Sequence, residues 1–502
     1  MRSLSLRIFR TATHGSFRTL RKSSSSSSSS IRLFRVFRGF PFFNFQLSTF
    51  CFLLSTFSLL AQPSLTTILS NGPASNRFNI VFLSEGYTSN QVARFQADAT
   101  NALNALLARP PYQEYRPYFN AFAIAVASVE SGSDHASYPQ YRNTYFNSTY
   151  DPVSDYYITI PPNFADGNYN DGQGKIDALL QTLVPSASLS ILLVNDLSPG
   201  GSDGGLDKTA ITYTGAGMPD ILAHETGHVV AGLGDEYTNA YPGYPAVEEP
   251  NTTQETRSNY LKWRAWIPAG TPVPTPPTAP YAAVVGFFQG AHYNASNWFR
   301  PKLDCCMNHP AAPFCEVCSE AMVLSFYRKV RPVDAFSPLA TSLSVSSTQA
   351  LAFNLSLLQP ASHGLSVQWF ADGLVQPGAT GSSFAVLPQT LGNGPHSISA
   401  GVRDNTTLVR DDPANVLTQT VAWNLNVNIP SLWLDSPTRL AAGRFAFRLT
   451  GNAPQGFVLQ TSTDLVNWTA LATNNLTAGQ FWFTNSGAAP FPGTFYRAKT
   501  PP

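Results

Sequence analysis

Strand-like and helix-like patterns of apolar residues alternate between residues 63 and about 334. An amphipathic stretch that is capped at Ser89 or Asn90 predicts a helix to about Ala108, ending before Pro110. Alternating strands and helices predict a domain of the α/β or α+β class. The continuous apolar runs that predict its buried strands are Asn79 to Leu83, Phe119 to Val126 and Leu189 to Val194.

Beyond this domain the apolar pattern becomes short and alternating, as in Ser366 to Phe370. Residues 335–502 contain no Glu and a single Lys, Lys499, while Ser, Thr, Asn, Gly and Pro are frequent. The loss of helix-favouring charged residues predicts two all-β modules. We expect an immunoglobulin-like β-sandwich over 335–430. Residues 431–502, with the segments Phe457 to Trp468 and Phe495 to Arg497, resemble the small C-terminal β-module found on many secreted bacterial proteins.

The first 62 residues have the character of an export segment rather than of a folded domain. Arginines precede an apolar stretch from Phe40 to Leu60, which Ala61 follows. A basic flank, an apolar segment and a small residue predict a signal peptide, and hence a secreted or cell-surface protein. A membrane anchor is the alternative, although polar residues interrupt the apolar stretch. The serine run at 23–30 predicts no packed core.

Charge is distributed unevenly along the 502 residues. The 31 Lys and Arg and the 30 Asp and Glu give a net charge of +1, which argues against a dedicated nucleic-acid-binding protein. Nine of the basic residues fall within residues 1–39, and the first acidic residue is Glu85. Without those nine, 22 basic residues face 30 acidic ones, so the remaining chain has a net charge of −8.

Four of the five cysteines fall within fourteen residues, and the fifth lies in the export segment. An even number in an oxidising compartment makes disulfides the favoured interpretation. Adjacent cysteines rarely pair, so Cys305 and Cys306 would each pair with Cys315 or Cys318, in an order that the sequence leaves open. A structural zinc site is the alternative, with His309 as a further ligand candidate.

The candidate chemistry lies in one predicted helix, at His224, Glu225 and His228. Positions i and i+4 share a helix face, so the two imidazoles can bind one zinc ion. Glu225 follows the first ligand and can act as general base on a water activated by the metal. Pro219 suits the first helical turn and Gly232 suits the helix end. Because the chain has only eight histidines, two at this spacing strongly indicate a metal site.

A catalytic zinc site needs a third protein ligand. In the metzincin pattern H-E-x-x-H-x-x-G-x-x-H, a Gly turns the chain and a His follows six residues after the second ligand. Here position 234 is Gly, whereas Gly232 lies four residues and Asp235 seven residues past His228. Asp235 is the preferred third ligand and Glu236 is next, although both could instead orient a ligand histidine. The outlying candidates are His135, His292 and His309.

A weaker metal pattern runs through the segment 166–177. Asp166, Asn168, Asn170 and Asp177 occupy places 1, 3, 5 and 12 of a calcium loop. Place 6 is not Gly and place 12 is Asp rather than Glu, so a polar surface loop explains the pattern equally well. A structural Ca²⁺ ion is therefore a minor expectation.

The segment from His224 to Tyr237 reads H-E-T-G-H-V-V-A-G-L-G-D-E-Y. It resembles the signature of the IgA-peptidase family of secreted bacterial zinc metallopeptidases. The resemblance covers about residues 77–330, in the family's order, and one departure is Glu85, where Asp is expected. Its further landmarks are Asn79 to Thr88, Ser128 to Asp134, Val194 to Ser202, Glu249 to Asn251, Lys262 to Ile267, Gly286 to Tyr293, Arg300 to Met307 and Phe314 to Cys318.

This resemblance implies a zincin fold of the metzincin-like kind, one catalytic zinc ion and endopeptidase activity on protein or peptide substrates. Met307 would then match the methionine beneath the metal in such folds, and an ordinary core methionine is the alternative. An antibody substrate is not implied, because that property belongs to the family's name-giving member.

We therefore expect a secreted, monomeric zinc endopeptidase in which His224, His228 and Asp235 bind the metal and Glu225 is the general base. The alternative is a cell-surface adhesion or glycan-binding protein with an inactive metal domain, whose β-modules make the contact. That alternative does not explain the intact Glu225, because an inactive metal domain needs no general base. Metal-dependent hydrolysis of a non-peptide bond is a third, lesser hypothesis.

Overall fold

The structure is a computed structural model that describes residues 62–501 except for 139, 153, 162–171, 204–208, 442–443, 452–454 and 486–492. The expected export segment lies outside the described residues, apart from residue 62. So do Asp166, Asn168 and Asn170 of the candidate calcium loop, whereas Asp177 falls in a helix. Across the described part of the chain, no helix is both long enough and apolar enough to cross a membrane.

A mixed sheet organises the residues that precede the metal-motif helix. The strands of this region are β1 (Ser64–Leu69), β2 (Phe78–Glu85), β3 (Phe119–Ala125), β4 (Asp134–His135), β5 (Thr149–Tyr150), β6 (Ile158–Thr159), β7 (Ala187–Val194), β8 (Gly201–Ser202) and β9 (Thr209–Tyr213). The sheet has the order β1-β3-β2-β7-β9-β8, and β4, β5 and β6 form a small separate sheet. Its inner strands run parallel, its edge strands β1 and β8 run antiparallel, and every residue of β2 is buried. The three predicted apolar runs fall in β2, β3 and β7.

Helices pack on this sheet, and one of them carries the metal motif. They are α1 (Val92–Leu107), α2 (Gln173–Leu183), α3 (Met218–Ala231) and α4 (Glu316–Lys329). The motif helix α3 contacts β9, α1 and α4. The predicted capping residue is wrong by one position. Thr88 and Gln91 form a capping box around a 3₁₀ turn, so Ser89 and Asn90 lie inside that turn.

Residues 232–287 contain only short 3₁₀ turns, and the elements that follow are strands apart from α4 and one further short helix. A hairpin of β10 (Phe288–Ala291) and β11 (Asn294–Arg300) precedes α4. The next elements are β12 (Val333–Ser337), β13 (Ser342–Val345), β14 (Leu351–Leu357), β15 (Ser366–Ala371), β16 (Leu374–Val375), β17 (Ser383–Val386), α5 (Pro388–Leu391), β18 (Gly394–Arg403) and β19 (Thr418–Val427). The last are β20 (Leu432–Arg439), β21 (Phe445–Gly451), β22 (Gln455–Ser462), β23 (Thr469–Leu476), β24 (Gln480–Asn485) and β25 (Phe495–Lys499).

These later strands build two pairs of sheets. One pair has the orders β12-β14-β17 and β13-β19-β18-β15-β16, and the other has β20-β21-β24 and β23-β22-β25. Each pair encloses its own apolar cluster, with Trp369 and Trp423 stacked in the first. By contrast, the indole of Trp482 in β24 is 57% exposed and lies beside Arg448. The described chain is thus mixed α/β followed by β modules.

Hydrogen bonds cross the expected boundary at residue 334. The buried carboxylate of Asp404 accepts hydrogen bonds from Tyr115, Tyr327 and His363 over 2.6–2.8 Å. His363 also contacts Glu114 at 2.7 Å. The divisions at 334 and 430 stay predictions from composition, and the first β-module is joined to the preceding α/β region by buried polar contacts.

Candidate metal centre

Helix α3 brings the three motif side chains together in a buried position. His224, Glu225 and His228 are each less than a tenth exposed, and the Nε2 atoms of the two histidines lie 3.2 Å apart. One helical turn separates the two histidines, so both rings project from the same face. Pro219 lies in the first turn, and Gly232 ends the helix in the left-handed conformation with φ 61°.

Backbone carbonyl groups orient both imidazole rings. His224 Nδ1 lies 2.8 Å from the carbonyl oxygen of Cys306, and His228 Nδ1 lies 2.6 Å from that of Leu233. A carbonyl oxygen only accepts hydrogen bonds, so each Nδ1 must carry the proton and donate it. When that ring is neutral, its Nε2 presents a lone pair to the space between the rings, as metal-binding histidines require, whereas a protonated ring carries a proton there instead.

Asp235 supplies a third donor to the same space. Its Oδ1 lies 3.1 Å from His224 Nε2 and 3.4 Å from His228 Nε2. The turn at Gly232 reverses the chain and lets Asp235 reach back over α3. Within the described residues, this buried carboxylate oxygen has no hydrogen-bond partner other than the two Nε2 atoms that it faces. Three lone-pair donors that converge in this way repel one another unless a cation lies among them, so the donor set fits a metal ion.

The electrostatics of the cluster also favour a cation. Burial alone lowers the pKa of His228, but the Asp235 carboxylate, with a contribution from Glu225, raises it to about 10. Burial opposes ionisation of Asp235, yet the facing imidazoles hold the pKa of its carboxyl below the ordinary value. The site therefore concentrates negative potential where the two Nε2 atoms meet.

Glu225 lies in the same pocket but in a different environment. Its carboxyl is buried, and burial raises its pKa to about 7. Its Oε1 lies close to Gly201 on β8, where a Cβ atom would come within 2.9 Å of it. A carboxyl group with a pKa near neutrality suits transfer of protons in both directions.

Met307 packs beneath the motif helix. A Cβ atom added at Gly227, between the two histidines, would lie 2.9 Å from Met307 Sδ. The backbone carbonyl of Met307 accepts a hydrogen bond of 2.9 Å from the amide of Glu236. The turn that contains Met307 therefore supports both α3 and the segment that carries Asp235.

The structure places the other ligand candidates away from this cluster. The carboxylate of Glu236 faces Asn251 and Cys318 instead of the two motif histidines. His135 pairs with Asp196 at 3.0 Å. His292 pairs with Glu249 at 3.0 Å, and the mostly exposed His309 pairs with Asp304 at 3.1 Å. Only Asp235, among the candidates from the sequence, lies against both motif histidines in the described chain.

Three supporting residues had no chemical signal in the sequence. Asn251 is fully buried and clasps the backbone of Gly234, accepting from its N–H at 2.7 Å and donating to its C=O at 2.8 Å. Glu249 packs against the same glycine, where a Cβ atom would fall 1.7 Å from its Oε2. Tyr293 donates to Asp235 Oδ2 at 2.6 Å. Asn251, Glu249 and Tyr293 fall in the landmark segments of the family resemblance, which is the signal that pointed to them.

The prediction of disulfides is wrong for the described residues, because their four cysteines are free. The sulfur atoms of Cys305 and Cys318 are 3.6 Å apart, well beyond the length of about 2.05 Å of a disulfide bond. Cys306 lies apart from this pair, with its sulfur 3.7 Å from the carbonyl oxygen of Pro310. The sulfur atoms of Cys305, Cys315 and Cys318 lie within 4.8 Å of one another, and Cys306 is not part of that group.

Glu85, where the family resemblance led us to expect Asp, lies in a well-defined buried environment. Its buried carboxylate, at the end of β2, accepts hydrogen bonds from Thr144 and from the backbone amides of Phe146 and Ser148, over 2.6–2.9 Å. The residue therefore anchors a loop and takes no part in the metal cluster.

The family model described as IgA peptidase M64 matches residues 66–281 and 277–326 of this chain. That match contains the sheet, α3 and the turn at Met307. No curated protein matches the chain.

Solved structures show only weak likeness. A β-glucuronidase of Bacteroides uniformis is 12% identical, with 43% of this chain and 28% of that chain covered and a TM-score of 0.14. Three N-terminal domains of the outer capsid protein Hoc of bacteriophage RB49 are 11% identical, covering 30% of this chain and 55% of that one, with a TM-score of 0.15. An amphioxus IgVJ-C2 molecule is 15% identical, covering 31% and 98%, with a TM-score of 0.13. The chain thus spans about a quarter of the length of the first of these structures and about half of the length of the second. TM-scores this low support no inference about its function.

Proposed function

Because this chain belongs to the IgA peptidase M64 family and is a peptidase, we propose that it is a zinc-dependent endopeptidase that acts on proteins. One observation carries the proposal: the buried Oδ1 of Asp235 faces the Nε2 atoms of His224 and His228 and has no other hydrogen-bond partner in the described part of the chain. Two imidazoles and one carboxylate form a donor set of the kind that holds catalytic zinc.

Each residue of the site has a separate task in this proposal. His224, His228 and Asp235 hold the metal, and the carbonyl groups of Cys306 and Leu233 fix the orientation of the two rings. Zinc bound there supplies a Lewis acid that polarises the scissile carbonyl and lowers the pKa of water. Zinc fits better than calcium or magnesium, which prefer all-oxygen ligands.

Glu225 is the proposed general base and, later, the general acid. Its carboxylate takes a proton from the attacking water as the new C–O bond forms, and it passes that proton to the leaving amine nitrogen when the C–N bond breaks. The pKa of about 7 that burial produces suits both transfers near neutral pH.

The finer fold and the location of the protein are also part of the proposal. The packing of Met307 under Gly227 supports a metzincin-like arrangement of the catalytic part. The paired sheets of residues 335–430 support an immunoglobulin-like module. The basic and apolar N-terminal segment supports secretion. The substrate class is protein, with no preference for antibodies assigned.

The test compares zinc content and cleavage of a denatured protein among purified variants. Glu225→Ala is expected to keep the metal and to lower hydrolysis by roughly 10²–10⁴-fold. His224→Ala is expected to lose the metal at this site as well as activity. Glu255→Ala, at a partly exposed carboxylate that pairs with Arg257, is the matched control that keeps both. Undiminished activity of Glu225→Ala would contradict the mechanism. A metal-loaded wild type with no chelator-sensitive cleavage would favour the adhesion alternative.

A further inference from the structure

A second group of potential ligands lies behind the first. Glu236, Cys305, Cys315 and Cys318 are all buried, and one ligand atom from each lies within 4.8 Å of the others. We propose that these residues form a second, structural zinc site, with three thiolates and one carboxylate as ligands. The site is distinct from the His224–His228–Asp235 cluster and shares no side chain with it.

The spacing of the donor atoms suits a tetrahedral metal ion. Zinc–sulfur bonds of about 2.3 Å at tetrahedral angles place two sulfur atoms about 3.8 Å apart. The Cys305 and Cys318 sulfur atoms are 3.6 Å apart, and the Cys318 sulfur lies 3.9 Å from Glu236 Oε1. Both separations resemble the edges of such a tetrahedron.

Glu236 provides the second, independent observation. Its side chain is completely buried, and its Oε2 has no hydrogen-bond partner among the residues that the structure describes, whereas Oε1 accepts from Asn251 at 2.9 Å. A buried carboxylate oxygen without a partner is costly, and a cation in the thiol cluster removes that cost. Arg300, which donates to the backbone carbonyl of Glu236 at 2.8 Å, lies beside the site and offsets part of its negative charge.

The local sequence explains why three cysteines converge and the fourth does not. Cys315 is the N-cap residue of α4 and Cys318 lies in its first turn, where the helix dipole favours thiolates. The amide of Cys315 donates to the sulfur of Cys305 at 3.3 Å. Cys306 faces Pro310, and His309 is mostly exposed and paired with Asp304, so neither belongs to the ligand set.

Binding of zinc to this second site would release protons and would oxidise none of its ligands. Three thiols lose their protons to solvent as three Zn–S bonds form, and the carboxylate of Glu236 adds the fourth bond. No sulfur changes its oxidation state. A disulfide between Cys305 and Cys318 is the competing product, and it would require an external oxidant.

The second site would hold the first in place through the backbone. Asp235 and Glu236 are consecutive, so one metal fixes the residue next to a ligand of the other. Cys305 likewise precedes Cys306, whose carbonyl orients His224, and Met307, which supports Gly227. This coupling rests on the proposed function, whereas the second site by itself does not.

The test counts zinc ions in the purified protein and its variants. We expect two per chain in the wild type, one in Cys318→Ser and one in His224→Ala. The control His309→Ala, at the mostly exposed histidine outside both ligand sets, should keep two. Equal zinc content in wild type and Cys318→Ser would overturn the proposal, as would a Cys305–Cys318 disulfide found by peptide mapping of the wild type.

Cobalt substitution in the wild type is a second test of the thiolate site, and it does not depend on a variant folding correctly. Co²⁺ bound by thiolates shows intense sulfur-to-metal charge-transfer absorption, which imidazole and carboxylate ligands do not produce. The band should occur in the wild type and persist in His224→Ala. A cobalt-loaded wild type without that band overturns the second site. A band in a protein that cleaves nothing leaves the second site standing and contradicts the proposed function instead.

Discussion

Tyr293 donates a hydrogen bond of 2.6 Å from its hydroxyl to Oδ2 of Asp235. The bond occupies one carboxylate oxygen and leaves Oδ1 facing His224 and His228. Tyr293 lies in the turn between β10 and β11, where it and His292 both have positive φ, 58° and 54°. Side chains larger than Gly rarely adopt this conformation, and such backbone strain is concentrated at functional sites.

Removal of this hydroxyl should weaken metal binding without unfolding the protein. We expect Tyr293→Phe to lower zinc affinity at the His224 site by about 10- to 100-fold, because partners of ligand side chains contribute on that scale. Competition with a chelator of known affinity measures the change. Tyr241→Phe is the matched control, since Tyr241 is 64% exposed. Equal affinities of Tyr293→Phe and wild type would contradict the positioning role.

Gly234 has no room for a side chain. A Cβ atom there would overlap Oε2 of Glu249, so Gly234→Ala must displace that carboxylate and its contact with His292. We expect a loss of about 1–3 kcal/mol in the free energy of unfolding, measured in urea. Gly381→Ala, where the nearest neighbour is 4.0 Å away, should cost much less.

The same clash predicts a particular non-additivity. Glu249→Ala removes the obstructing carboxylate, so the double variant with Gly234→Ala should lose less stability than the two single losses combined. Strict additivity would show that Glu249 does not obstruct position 234.

Asp404 should be a major stabilising contact between the α/β region and the first β-module. Its buried carboxylate accepts from Tyr115, Tyr327 and His363, and its removal leaves those groups without their acceptor. We expect Asp404→Ala to lower the free energy of unfolding by about 3–5 kcal/mol. The control Asp372→Ala removes a half-exposed carboxylate in the same module and should cost no more than about 1 kcal/mol. Similar losses for both variants would contradict a special role for Asp404.

His363 should make stability depend on pH. Burial lowers its pKa, but the carboxylates of Asp404 and Glu114 outweigh burial and raise the pKa above the ordinary value of about 6.5. The folded state therefore binds the proton more tightly than the unfolded state does. The resulting stabilisation is fully present below about pH 6.5 and is lost as the pH rises through the folded pKa.

Urea unfolding at a series of pH values checks this dependence. The free energy of unfolding of the wild type should fall as the pH rises above about 6.5, and His363→Gln should remove that part of the fall. A fall of the same size in His363→Gln would assign the dependence to other groups.

The helices and strands that depend on short-range periodicity could be predicted from the sequence. The helix that carries His224, Glu225 and His228 follows from i, i+4 spacing and from its end signals Pro219 and Gly232. The buried strands follow from continuous apolar runs. The capping of α1 was missed by one residue, because Thr88 and Gln91 bond each other across a turn that propensity does not distinguish from the helix.

Local spacing alone identifies the segment with the candidate chemistry and places its two-histidine motif on a helix. Long-range packing selects which acidic neighbour faces the histidines: Asp235 turns toward them, and the adjacent Glu236 turns toward three cysteines. It also separated Cys306 from the other thiols and brought Asn251 and Tyr293 to the site. These choices depend on contacts between residues far apart in the chain, and no local periodicity records which distant groups will meet.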